Sequence, residues 1–212
     1  MTRGPERMLL VGTAPMLATC AASLAAASIP VETLAVHRVP GAGHDLAGLG
    51  AYPPSDWQAF AAVGYELLNL LRLDLMSALL HAGYRLGRIV DPKARVPTSW
   101  QPGENSHVGD SAVIGPGVTA RHNVVVGTGA ILGAGVSLGH SVWIGDGAIV
   151  GAGSTIGPGT TIAAGAIVGQ RVRIGRQCEL GLAREYLVDV PDRTFFGGPF
   201  DDAVRIHASN RA

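Results

Sequence analysis

Two cysteines and a single lysine in 212 residues are the clearest shortages. Cys20 and Cys178 are too few for a disulfide framework, so a reducing compartment fits, and Cys178 falls at a small, inward position of the repeat described below. With Lys93 the only lysine, arginine supplies the remaining positive side-chain charge, and the formal net charge is zero. A chain without a pervasive basic field is not expected to carry a nucleic-acid surface. No apolar run is long and clean enough to span a bilayer. The nearest is MLLVGTAPMLATCAASLAAAS, preceded by Arg3 and Arg7, which looks a little like a signal peptide. Gly12, Thr13 and Pro15 interrupt it, and strand, turn and helix account for it better. The expectation is a cytoplasmic protein with neither membrane nor nucleic acid as partner.

What the chain has in abundance is glycine in register. From Val108 to Leu182 an aliphatic residue recurs every sixth position, replaced only by Ala120, and glycine follows it except at Arg121 and Ala163. The fifth position of each hexad is small or β-branched, from Ala112 to Cys178. Short fixed periods mean a solenoid. This one resembles the hexapeptide repeat of left-handed parallel β-helices. Each hexad forms one flat side of a triangular prism, and three make a coil. Aliphatic and small positions point inward and the residue between them points out; glycine is expected at corners that need positive φ.

Ahead of the prism, Met8–Gly12 reads as a buried strand, Leu17–Ser28 as a helix, Val31–Val36 and Phe60–Val63 as strands, Asn69–His81 as a helix and Tyr84–Val90 as a strand. Residues 41–56 read as a loop and Pro92–Gly103 as a linker. The alternation implies a small, parallel, Rossmann-like α/β unit, too short for a full dinucleotide fold. Expected boundaries are 1–92 for this unit, 93–185 for the β-helix and 186–212 for a tail, with Phe195–Pro199 a turn and Asp201–Ala212 an extension. The turn at Gly12 and Thr13 offers a phosphate a helix N-terminus. It lacks G-x-G-x-x-G and reads equally well as a plain strand-to-helix turn.

A period of 18 stacks residues on successive coils, about 4.8 Å apart. His122, His140, Pro158 and Arg176 fall on one corner, where an imidazole has no packing role and titrates near neutral pH. Val113, Ile131, Ile149 and Ile167 form an outward aliphatic stripe that wants a cover, a homo-oligomer or the tail. Thr119, Ser137, Thr155 and Arg173 form a second outward stack. Val125, Trp143, Thr161 and Glu179 form the third. Arg171, Arg173 and Arg176 make a cationic group, with Arg176 two coils, roughly 10 Å, from His140. That suits a long anion along the corner, its phosphates at the arginines. Two histidines on one corner lack the third protein ligand of a catalytic zinc, since Asp110 and Asp146 occupy other corners. No metal is expected.

Several motifs are similar to those of the bacterial sugar acyltransferases related to sialic-acid O-acetyltransferase and bacillosamine N-acetyltransferase. Gly64-Tyr65 with Asn69 and Arg72 resembles G-Y-x-x-x-N-x-x-R. Gly83-Tyr84-x-Leu86 with Asp91-Pro92-x-Ala94 resembles the link into the prism, and Gly103-Glu104-Asn105 the GEN that opens it. Leu138-Gly139-His140-Ser141 with Ile144 and Asp146 resembles IGHH…I-x-D.

The resemblance implies acetyl-CoA as co-substrate and an amino- or hydroxy-sugar, often nucleotide-linked, as acceptor. It implies His140 as general base with His122 beside it, taking the acceptor's proton as it attacks the thioester. Backbone N–H groups at the next corner would hold the oxyanion. CoA would run past Arg171, Arg173, Arg176, Gly151 and Gly157, between prisms of a homotrimer. Gly12, Thr13, Glu104, Asn123 and Ser141 would face the acceptor. The chain departs from the pattern in three places. Ser141 follows the histidine where the family has His, Asp or Glu. A later family histidine is replaced near Ala152-Gly153. The first α/β turn lacks the glycine-rich signature. His122 or Glu104 would have to compensate for the missing carboxylate. Two other readings stay open, a non-catalytic trimeric scaffold and a metal-dependent β-helix enzyme.

Overall fold

A computed structural model describes residues 7–39, 43–66, 68–197 and 200–205. Strands β1 (Arg7–Gly12), β2 (Val31–Ala35), β3 (Trp57–Ala62) and β4 (Arg85–Leu86) form a parallel sheet in the order β2-β1-β3-β4. The apolar run of β1 is buried along its length, as expected of a strand with helices on both faces. Helix α1 (Ala14–Ala26) covers one face through Met16, Leu17, Cys20 and Leu24. Helix α2 (Leu70–His81) covers the other through Leu75 and Leu79, packed on Leu9, Val11, Ala59 and Ala61.

The expected strand Tyr84–Val90 is two strands. Arg85–Leu86 completes the sheet, and Ile89–Val90 pairs with His107–Val108 on the prism. Gly87 and Arg88 are the whole connection. The stretch expected to be a linker is therefore wound as a coil: Arg95 pairs with Val113, and the Gly103 N–H donates to the Ala120 carbonyl. Its only glycine is Gly103, so the period was hidden. At the other end, Thr194–Gly197 continues the sheet that holds Glu179–Leu180, and Phe200–Arg205 pairs with it antiparallel. A hairpin thus replaces the expected turn and the start of the expected tail; residues 206–212 lie outside the described ones.

Between these ends the expected left-handed parallel β-helix holds, as does the α/β unit before it. Each outward stack is a paired ladder: Val113–Ile131–Ile149–Ile167, Thr119–Ser137–Thr155–Arg173 and Val125–Trp143–Thr161–Glu179. The column between them is filled by Val, Leu, Ile and Ala with Cys178 among them. Glycine has a different role from the expected one at the position after the aliphatic residue. A Cβ on Gly139 would lie 2.7 Å from the Pro158 nitrogen, so there glycine permits the close approach of the next coil. Positive φ is needed two residues later, at Asn105, Asn123, Ser141 and Gln177 on the histidine corner.

The α/β unit sits on the third ladder. Val125 packs with Met8, Leu10, Met16 and Phe60, and Trp143 lies against the same cluster. The join is also polar. Arg72 is fully buried, its Nε donating to Asn123 Oδ1 at 2.9 Å and its Nη2 to the Asn123 carbonyl at 2.6 Å. Asn123 Oδ1 also accepts from Asn105 Nδ2, and Asn105 Oδ1 accepts the Ala61 N–H of β3. Removing Arg72 strands the buried Asn123 carbonyl and takes one of two donors from Asn123 Oδ1. Arg72→Ala is expected to lower unfolding free energy by about 3 kcal/mol in denaturant titrations, and Arg72→Lys not to restore it, because one ammonium cannot reproduce the two-pronged contact.

Candidate active site at the histidine corner

Where the second ladder's coils turn into the third, the corner stacks Glu104, His122, His140, Pro158 and Arg176. The N-terminal end of α2 overhangs its lower part. Between them lies a cleft of about 380 Å³ lined by Asn69, Leu70 and Leu73 on the helix side and by His140, Ser141, Arg176, Gln177 and Arg193 on the prism side. His140 is exposed, and its ring has no hydrogen-bond partner among the described residues. Ser141 is buried beneath it. Its hydroxyl accepts from Asn123 Nδ2 at 3.0 Å and so keeps its own proton to donate. Arg176 pairs with Asp192, Nε to Oδ2 2.8 Å, in an exposed contact that a stronger anion can displace.

The structure thus brings together three of the residues singled out by sequence: His140, Ser141 and Arg176. His122 and Glu104 stand one and two coils above, exposed and outside the cleft. Asn123 is wholly buried, its side chain bonded to Arg72, Asn105 and Ser141, so it supports the corner and is closed to an acceptor. Arg171 and Arg173 lie away from the cleft, at the preceding corner and on the second ladder, because neither stands a multiple of 18 residues from His140. Gly151 and Gly157 are close-approach glycines, each facing the backbone of the following coil. One coil on at this same corner there is no free oxyanion donor, because Pro158 has no N–H and the Gly159 N–H is given to the His140 carbonyl.

Sequence reasoning missed Arg193 and the α2 side. Arg193 stacks on Gln177, its N–H given to the Arg176 carbonyl, through a shortened last coil, Glu179 pairing with Phe195, which breaks the period of 18. Asn69 precedes α2 in a left-handed conformation and donates from Nδ2 to Thr161 Oγ1 at 3.1 Å, while its buried Oδ1 has no partner.

A second cleft, of about 400 Å³, opens on the other side of the segment leading into α2, between the α/β unit and the third ladder. Of the two residues expected at the acceptor, Thr13 lines this cleft and Gly12 does not: a Cβ there would run into the Ala62 carbonyl of the neighbouring strand. Its wall includes His107, 1 % exposed, with Nε2 3.3 Å from Ser23 Oγ and Nδ1 unpartnered. Burial, helped by Arg72 and opposed by Asp91, pushes His107 down to about 4. The unfolded chain therefore binds a proton between the ordinary value near 6.5 and 4 that the folded chain refuses, so stability present above 6.5 is lost as pH falls through that window. Wild type is expected to lose about 3 kcal/mol more than His107→Gln between pH 7 and pH 4 in denaturant titrations.

Among the described residues no group of three or more His, Cys, Asp or Glu is placed to hold a metal, and no helix is long and apolar enough to cross a membrane.

Comparison with known proteins places this geometry in context. Residues 105–140 match the bacterial transferase hexapeptide (six repeats) family. No curated protein sequence matches the chain. The acetyltransferase domain of PglB from Neisseria gonorrhoeae, solved with acetyl coenzyme A, superimposes with a TM-score of 0.81 at 23% identity, over 96% of this chain and 100% of that one. PerB from Caulobacter crescentus, solved with CoA and GDP-perosamine, gives 0.80 at 23% identity, over 91% of this chain and 94% of that one. This chain is a hexapeptide-repeat protein with the two-part fold of those structures, a small α/β unit on a left-handed β-helix.

Proposed function

We propose that the protein is a CoA-dependent acyltransferase, with acetyl-CoA as donor and an amino or hydroxyl group of a sugar or similar small polar molecule as acceptor. One observation carries the reading: an unpartnered imidazole, a hydroxyl with a free proton and two arginines share one cleft. His140 takes the acceptor's proton as its nitrogen or oxygen attacks the thioester carbonyl, a role worth about 10²–10⁴-fold. The hydroxyl of Ser141, held from behind by Asn123, donates to the developing oxyanion. Arg176 and Arg193 hold the phosphates of CoA. The thiolate leaves with the proton returned through His140. PglB and PerB, which share the fold, were solved with acetyl-CoA or CoA, which supports the donor.

His140→Ala is expected to lower kcat at least a hundredfold while leaving the acetyl-CoA-induced shift in melting temperature intact. An unchanged rate removes His140 from the mechanism, and no shift in wild type removes CoA from it.

The working assembly is a homotrimer. Ile131 and Ile149 are 40% and 37% exposed on the aliphatic ladder, and the C-terminal hairpin joins a different sheet. Replacing both with Glu is expected to convert a trimer into monomers by sedimentation, whereas a double variant that stays trimeric places the interface elsewhere.

A further inference from the structure

The two clefts have opposite polarity. The one at His140 carries Arg176 and Arg193. The one between the α/β unit and the third ladder carries Glu66 and Asp146, and no lysine or arginine is among the described residues that line it. It opens into a groove of about 230 Å³ that shares Tyr65, Trp143 and Asp146 and adds Glu179. The nearest cation, Arg72, is wholly buried behind Trp143, 5.2 Å from the ring centroid, with two of its nitrogens held by Asn123.

Such a wall repels a diphosphate. The helix N-terminus that would offset the repulsion is blunted, because Pro15 stands in the first turn of α1 and the Thr13 N–H is given to the Ala62 carbonyl. What the wall does offer is different. Tyr65 and Trp143 form a tilted aromatic pair with centroids 5.3 Å apart, a surface for the C–H face of a sugar or for an ammonium. Asp146 Oδ1 accepts the Thr128 N–H, which fixes its carboxylate at the mouth. His107, buried in the same wall, holds an unsatisfied Nδ1 that a ligand hydroxyl can pair.

We infer that this cleft binds a protonated amino sugar that carries no nucleotide, its ammonium between Glu66 and Asp146 and its ring on Tyr65 and Trp143. This rests on the acyltransferase reading for its purpose and narrows the acceptor to an amine without phosphate. The amine binds as the ammonium and releases one proton to water before its nitrogen attacks; the second goes to His140 as the new amide forms.

Calorimetry of the full chain with glucosamine, glucose and UDP-glucose tests it. Glucosamine is expected to bind at least tenfold more tightly than glucose, and UDP-glucose no more tightly than glucose. Glu66→Gln and Asp146→Asn, both at exposed positions, should each weaken glucosamine fivefold or more, with the wild-type far-ultraviolet spectrum retained. Tighter binding of UDP-glucose than of glucosamine overturns the inference, as does undiminished glucosamine binding in both variants. Acetyl-CoA, titrated in parallel, reads the other cleft. Wild-type protein that binds acetyl-CoA but not glucosamine sinks this inference alone. Glucosamine that binds as expected but is never acylated upholds it and sinks the acyltransferase reading.

Discussion

Arg72 has its guanidinium wholly out of water, and it reaches from α2 across to Asn123 at the corner of the prism. Burial pushes it down to about 9, which still leaves a charge inside the protein at neutral pH. A buried ion is tolerated only where its partners are fixed, so this contact permits one docking of the α/β unit on the β-helix. Asn123, which it grips, is the middle of a ladder of Asn105, Asn123 and Ser141, one per coil, all left-handed. Ser141 is the neighbour of His140. Thus the contact that joins the two halves of the chain also sets the floor of the histidine cleft.

Fixing the docking creates both clefts at once. Ahead of α2, Tyr65 lies on Trp143 and Asn69 on Thr161 of the third ladder. The cleft on one side of them carries arginines and the cleft on the other carries carboxylates. On the proposed function, opposite polarity on the two sides would sort a polyanionic donor from a cationic acceptor without any moving part, since each would be repelled by the other's site. The unpartnered Asn69 Oδ1, Arg72 Nη1 and His107 Nδ1 cluster along this seam, where bound molecules or solvent have polar groups to meet.

The prism was legible because its signal is repeated: one aliphatic residue every six positions cannot be produced by a helix or by a random loop. The stacks at His140 and Trp143 followed from that arithmetic alone. Arithmetic failed at the ends. The coil from Ile89 to Gly103 lacks the glycine beat, and the last coil is two residues short, so Arg193 could not be aligned with Gln177. It failed also for anything set by the docking. Val125 and Trp143 read as outward residues, and only the α/β unit lying on them explains their bulk. Asn123 read as a ligand contact because it stood at the right corner. That a buried guanidinium consumes it depends on Arg72, 51 residues earlier in the chain.

A crystal structure of the protein soaked with acetyl-CoA and glucosamine together examines the central claim, that one docking makes two clefts of opposite charge. The account predicts the thioester beside His140 with phosphates at Arg176 and Arg193, and the amino sugar on Trp143 beside Asp146. Density for the coenzyme on the carboxylate side, or a His140 ring that touches neither molecule in the crystal, would contradict it.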